Sequence, residues 1–262
     1  MVPGVTAASP QRPLMISVPV SPYVELARWV LERLSVGYVE QRHVPVFNTL
    51  AARRHRGGTV VPVLNIGARS LTDARQIVDH YDAGAPPHLR LFPSSPTQNS
   101  EARALFDELY DGLGVAVRAW AYAYQLPVRS VTMRAWIAGA PLHERLIVPV
   151  VYPLIAKRVG RGLGLHPGSI PEQRALIDAS LDRLDARLAD GRRYLLGDAL
   201  TAPDLALATM IAPVVVPPEY AGPLPGFDES PAPMQREMTE IRDRPAAQLA
   251  LRIFREERRP AA

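Results

Sequence analysis

The period of the hydrophobic positions changes about a third of the way along the chain. Leu14 to Val20 is a short apolar, β-branched run that predicts a strand. After Ser21-Pro22 the apolar residues Val24, Ala27, Trp29 to Leu31 and Leu34 recur at helical spacing, with Glu25, Arg28, Glu32 and Arg33 between them. Ser21 suits an N-cap, Pro22 the first helical position and Gly37 a helix stop. Tyr38 to Val44 predicts a second strand. Phe47 to Arg56 is ambiguous, with a short helix the nearest pattern. Thr59 to Ile66 is strongly β-forming, and Pro62 inside it marks an edge, a bulge or a special turn. Gly67 turns the chain, Arg69 to Leu71 returns as a hairpin partner, and Thr72 or Asp73 caps a helix carrying Ile77, Val78 and Tyr81 on one face. Residues 14–82 therefore read β-α-β-(α)-β-β-α.

Beyond that point the pattern is helical throughout. A linker, 83–97, holds Pro86, Pro87, Pro93 and Pro96 and marks a domain boundary. From Phe106, the positions Tyr110, Leu113, Val117, Trp120 and Tyr124 follow steps of three and four. Val128 to Ala138 and the amphipathic stretch Glu172 to Leu188 predict two more helices. Thr201-Ala202-Pro203-Asp204 opens another, with Asp204 placed to reach back as a capping box. Pro213 to Pro233 is loop-like, and Met234 to Arg242 and Ala246 to Glu257 predict the last helices. The expected organisation is a disordered leader (1–13), an α/β domain (14–82), the linker and an all-helical domain (98–257).

Composition narrows the chemistry. With 262 residues, 47% of them hydrophobic, the chain can bury a sizeable core without staples. The absence of cysteine excludes disulfides, thiolate metal sites and a cysteine nucleophile. The start of the chain lacks the basic opening and apolar run of a signal peptide, and a cytoplasmic location is expected. The apolar run Leu146 to Ala156, interrupted by Pro149 and Pro153, is too short to span a bilayer. A buried helix or kinked connector is expected there, with a membrane-surface role as the minor reading. Net charge is +4, carried almost wholly by arginine. The cluster Arg53-Arg54-His55-Arg56 lacks interleaved aromatics, which argues against nucleic acid and for a small anion. The histidines His43, His55, His80, His88, His143 and His166 lack metal-ligand spacing, so no metal is expected. Esterase, P-loop and dinucleotide motifs are absent.

Three segments carry a family resemblance, in order and at fitting distances. They are SPYVELARWVLE (Ser21 to Glu32), VVPVL (Val60 to Leu64) followed by LTDARQI (Leu71 to Ile77), and LLGDALTAPDLALA (Leu195 to Ala208). Together they resemble the glutathione S-transferase family over roughly Leu14 to Glu257. The resemblance implies a thioredoxin-like domain followed by an all-helical domain. It also implies glutathione or a related thiol as co-substrate, conjugated to a small apolar electrophile, and detoxification as the broad role. Many members dimerise, so a homodimer is an open expectation.

Such chemistry needs a donor beside the thiol sulfur and a positive local potential, which a helix N-terminus supplies. The resemblance makes Ser21 the catalytic hydroxyl; the alternative is a simple N-cap, with Tyr23 at the second helical position as another candidate hydroxyl. It makes Pro62 a cis-proline whose neighbour Val61 offers its backbone to the cysteinyl part of the peptide. Asp73 and Ala74 fall where the family has an acid followed by Ser or Thr to grip the γ-glutamyl end. Alanine removes that hydroxyl, a loss worth roughly 1.5–3 kcal/mol for a bond to a charged group, and Asp73 is equally suited to capping its helix. Arg53 lies where a cation often meets the glycyl carboxylate, or is solvated surface. Tyr23, Tyr110, Trp120 and Tyr124 are candidates to line the pocket of the second substrate, or else are core. The competing function is a non-catalytic ligand carrier or interaction module on the same fold.

Overall fold

The computed structural model describes residues 12–258 apart from Arg56. The expected leader, save Arg12 and Pro13, lies outside the described residues, as does Arg56 of the basic cluster.

The N-terminal part is an α/β layer. Strand β1 (Leu14–Ser17) pairs in parallel with β2 (Val39–Arg42) and antiparallel with β3 (Val63–Ile66), which turns at Gly67 into β4 (Arg69–Leu71). The four-stranded order is β2-β1-β3-β4. Helix α1 (Pro22–Arg33) crosses between β1 and β2, α2 (Phe47–Arg54) leads toward β3, and α3 (Ala74–Ala83) follows β4. Met15, Leu64 and Leu71 of the strands pack on Val24, Ala27 and Leu31 of α1 and Ile77 of α3. The β-forming run from Thr59 enters the ladder only at Val63. Thr59 to Val61 stay outside it, ahead of the cis Val61–Pro62 peptide.

The remainder is helical: α4 (Pro96–Glu108), α5 (Gly114–Gln125), α6 (Arg129–Ile137), α7 (Leu142–Gly162), α8 (Ser169–Leu188), α9 (Ala202–Val215), α10 (Ala232–Arg242) and α11 (Pro245–Glu257). At the centre stands α9, every residue of which is buried. Asp204 fixes its start: the carboxylate accepts from the Thr201 backbone N–H at 2.8 Å, the Thr201 hydroxyl at 2.6 Å and the Leu195 N–H at 2.8 Å. A buried carboxylate with three donors is satisfied, and it locks the preceding turn onto the helix. Pro213 lies inside α9, so the proline-rich loop begins later than expected, after Val215.

Two departures from the sequence pattern shape the cavity described below. Residues 109–113, between α4 and α5, form a π-helical turn. One extra residue in that turn rotates all later positions relative to α4 and breaks the continuous aromatic stripe expected there. Gly114 lets the joint approach its neighbours: a Cβ there would lie 2.6 Å from Met210 Sδ and 2.9 Å from the Tyr23 hydroxyl. Secondly, Leu146 to Ala156 is neither connector nor wholly buried, but the middle of α7. Pro149 and Pro153 both sit within that helix. Pro153 offers no N–H to the Pro149 carbonyl, and the Arg129 guanidinium of α6 donates to that carbonyl instead. Val148, Tyr152 and Ile155 face inward, while Leu146, Val150 and Leu154 are exposed. No helix among the described residues is long and apolar enough to cross a membrane.

The α6–α7 hairpin is tied to the α/β layer by Glu144. Its carboxylate accepts from the Val44 N–H at 2.8 Å and meets His43 Nδ1 at 2.5 Å. On the far side of α1, Arg28 contacts Glu25 at 3.2 Å and Glu40 at 2.6 Å, and Arg258, just beyond α11, meets Glu25 at 3.0 Å. This buried network fastens the end of α11 to the first helix.

Candidate functional site

A cavity of about 350 Å³ lies where the α/β layer meets the helical part. One wall is Ser21 and Pro22 at the start of α1 with the segment Thr59 to Val61; the opposite wall is α5 together with the α6–α7 hairpin. Ser21 has extended backbone angles and makes no side-chain capping bond. Its hydroxyl has no partner among the described residues and sits on the cavity wall beside the first turn of α1, whose leading N–H groups lack intrahelical acceptors. Val61, next to the cis bond, lines the same wall, and Pro62 behind it is buried. Sequence reasoning thus placed Ser21 and Val61 in a single groove, and the geometry brings them together.

Asp73 is the N-cap of α3, accepting from the Arg75 N–H at 2.7 Å. The same oxygen accepts from the Tyr110 hydroxyl at 2.5 Å. Ala74 is fully buried, and neither residue lines the cavity. Arg53 is exposed on α2 and also lies off the cavity wall.

The aromatic candidates require correction. Tyr23 points into the core, and its hydroxyl donates to the Tyr110 carbonyl at 3.1 Å. Burial holds that hydroxyl above its usual pKa, so it is neither free nor acidic. Tyr110 is buried against Phe106, and burial followed by the Asp73 contact raises its pKa further. Trp120 Nε1 and the Tyr124 hydroxyl both donate to Glu237 of α10, at 2.7 and 2.6 Å. None of these four lines the cavity. The physical reason is angular. Positions 120 and 124 lie about 200° around the helix from 118 and 122, at 3.6 residues per turn.

The face of α5 that does line the cavity carries Arg118, Ala121, Tyr122 and Gln125. Thr132 and Trp136 of α6 and Val159 of α7 complete that wall. The Tyr122 hydroxyl accepts from Trp136 Nε1 at 3.2 Å, and burial raises its pKa. Arg118 is half-buried, its guanidinium 5.3 Å from the Tyr23 ring centroid. It has no ion pair and no hydrogen-bond acceptor among the described residues, and its Nε is buried without a partner. One hint of this face was available in the chain, a step of 118, 121, 122 and 125, which the more conspicuous aromatics one or two positions away obscured.

The family models for the N-terminal and C-terminal domains of glutathione S-transferase match residues 15–88 and 167–243, in that order. The chain belongs to the glutathione S-transferase family. Its fold agrees with solved members. The theta class glutathione S-transferase of Xanthomonas axonopodis pv. citri, solved with glutathione bound, covers 92% of this chain and 97% of its own at 20% identity, with a TM-score of 0.55. A glutathione S-transferase from Sinorhizobium meliloti 1021 covers 92% and 93% at 18% identity, with a TM-score of 0.54. One from Methylobacterium radiotolerans, in complex with glutathione sulfonate, covers 92% and 95% at 20% identity, with a TM-score of 0.54. None of the curated proteins compared with the chain matches it in sequence. The α6–α7 hairpin of this family member lies between the two matched stretches, so much of the helical cavity wall belongs to neither.

Proposed function

We propose that this protein conjugates glutathione, or a closely related thiol, to a small electrophile held in the cavity between α1 and α5. The observation that carries it is the unbonded Ser21 hydroxyl at the first turn of α1, on the same wall as Val61. Glutathione is the bound molecule of two of the solved structures similar to this chain. The chemistry runs as a nucleophilic attack. The thiol proton passes to solvent, and the Ser21 O–H and the free N–H groups of α1 stabilise the thiolate. The sulfur then forms a bond to the electrophilic carbon, whose leaving group departs with its electron pair. Val61 supplies a backbone N–H and C=O for the peptide, as in strand addition. Asp73 retains one carboxylate oxygen for the γ-glutamyl ammonium, and α3 supplies N–H groups for its carboxylate.

Retention on immobilised glutathione and turnover of 1-chloro-2,4-dinitrobenzene test this function. Ser21→Ala is expected to lower kcat by roughly 10–100-fold, the effect of removing a charge-assisted hydrogen bond. Its melting temperature is expected to stay close to that of the native protein, since the Ser21 side chain makes no capping bond. Unchanged turnover in Ser21→Ala would remove that residue from the chemistry. Absence of both retention and turnover in the native protein would favour the second reading, a non-catalytic ligand carrier, which Ala74 and the doubly engaged Asp73 oxygen favour.

A further inference from the structure

We infer that Arg118 makes this cavity selective for an electrophile that carries an anionic group, a carboxylate on an apolar or aromatic body. The inference rests on the conjugation proposed above for its catalytic meaning, but the anion site stands on its own geometry.

Arg118 projects from α5 into the wall opposite Val61 and shares the cavity with Ser21. A half-buried guanidinium ordinarily finds a carboxylate, because desolvating a charge is costly unless it is paired. The other inward arginines of this protein follow that rule: Arg28 and Arg258 each contact two glutamates. Arg118 contacts none among the described residues. Among the described residues its guanidinium meets the Tyr23 ring and no acceptor, which leaves its donors uncommitted. Among the described residues no acidic side chain lines the cavity, and the rest of the wall is apolar apart from hydroxyl and amide groups such as Thr132 and Gln125. The field inside is therefore positive. A planar guanidinium with free donors matches a carboxylate in geometry as well as in sign. Tyr122 and Trp136 flank the apolar volume that an aromatic body would fill.

The thiol itself has carboxylates, so the site has to be assigned to the electrophile by experiment. The probes are 4-chloro-3-nitrobenzoate and its neutral isostere 4-chloro-3-nitrobenzamide. In both, sulfur replaces chloride at the ring carbon, chloride leaves with the bonding electrons and the thiol proton goes to solvent. The expected result is a kcat/KM ratio of benzoate to benzamide that falls by roughly 10–100-fold in Arg118→Gln, with partial recovery in Arg118→Lys. The KM for glutathione is expected to move less than about threefold. Equal losses for both probes, or a raised glutathione KM with an unchanged ratio, would overturn the inference and place Arg118 on the thiol. If the native protein turns over neither probe, calorimetric binding of the two compounds decides. Benzoate binding that is tighter than benzamide binding and lost in Arg118→Gln keeps the anion site while removing conjugation. Equal binding of the two probes removes the anion site.

Discussion

Arg28 and Arg118 stand on neighbouring helices and are both withdrawn from bulk solvent, yet their surroundings are opposite. Arg28 is 1% exposed and lies among Glu25, Glu40 and the Pro19 carbonyl. Burial alone would lower its pKa, but the hydrogen bond and charge of Glu40, with Glu25 behind, hold it above the usual value. Glu25 is shared with Arg258, so two cations and their glutamates form one closed network. Among the described residues Arg118 has no such partner, and it faces a cavity. A neutralised buried charge fixes the positions of the elements around it. An unneutralised one raises the energy of the empty cavity and lowers it again when an anion enters. The first arrangement serves the fold, and the second serves recognition.

That contrast can be broken by experiment. The largest effect is expected for Arg28→Met, which takes from Glu40 its closest cation and from Glu25 one of its two: a loss of about 3–5 kcal/mol in unfolding free energy, read by urea denaturation. A loss below about 1 kcal/mol would show that the network contributes little to holding α1. A smaller effect is expected for Glu40→Gln, which weakens the contacts of that carboxylate with Ser17 at 2.6 Å and Arg28 at 2.6 Å: about 1.5–3 kcal/mol at pH 7. This difference has a pH signature. Burial raises the Glu40 pKa, but the Arg28 hydrogen bond and charge outweigh it and hold the carboxyl below its ordinary value of 4.5. An acid with a depressed folded pKa contributes stability above the unfolded value and loses it as pH falls through the folded one. The gap between native protein and Glu40→Gln is therefore expected to be full above pH 4.5 and to close below it. A gap that stays constant down to pH 3 would remove Arg28 as the cause. The smallest effect is expected for Arg118→Gln, below about 1 kcal/mol, since only the Tyr23 ring contact is lost. A loss as large as that of Arg28→Met would make Arg118 a structural residue and erase the contrast.

Much of the α/β layer was legible in the chain because its signals are local. Apolar runs such as Leu14 to Val20 mark strands, and the Ser21-Pro22 pair opens α1 where the structure has it. Thr201 to Asp204 likewise announces α9 through a motif whose partners lie three residues apart. The pocket wall was not legible for a nonlocal reason. Helical spacing identifies which residues share a face, but not which face meets which neighbour. The aromatic stripe of Tyr110, Trp120 and Tyr124 drew attention because aromatics often line pockets, and it is committed instead to Asp73 and Glu237. Pro149 and Pro153 hid α7 because the compensating donor, Arg129, comes from another helix.

The sequence by itself determined the order of elements in the α/β layer, the capping box that opens α9 and the Ser21-Pro22 start of α1, since each depends on neighbours within a few residues. Only the tertiary structure decided that the Ser21 side chain makes no capping bond, that Arg118 and Tyr122 rather than Trp120 and Tyr124 face the cavity, and that Arg118 meets no acid there among the described residues. Those facts depend on how α1, α5 and the α6–α7 hairpin pack. Packing is set by contacts between residues far apart in the chain, which local periodicity does not encode.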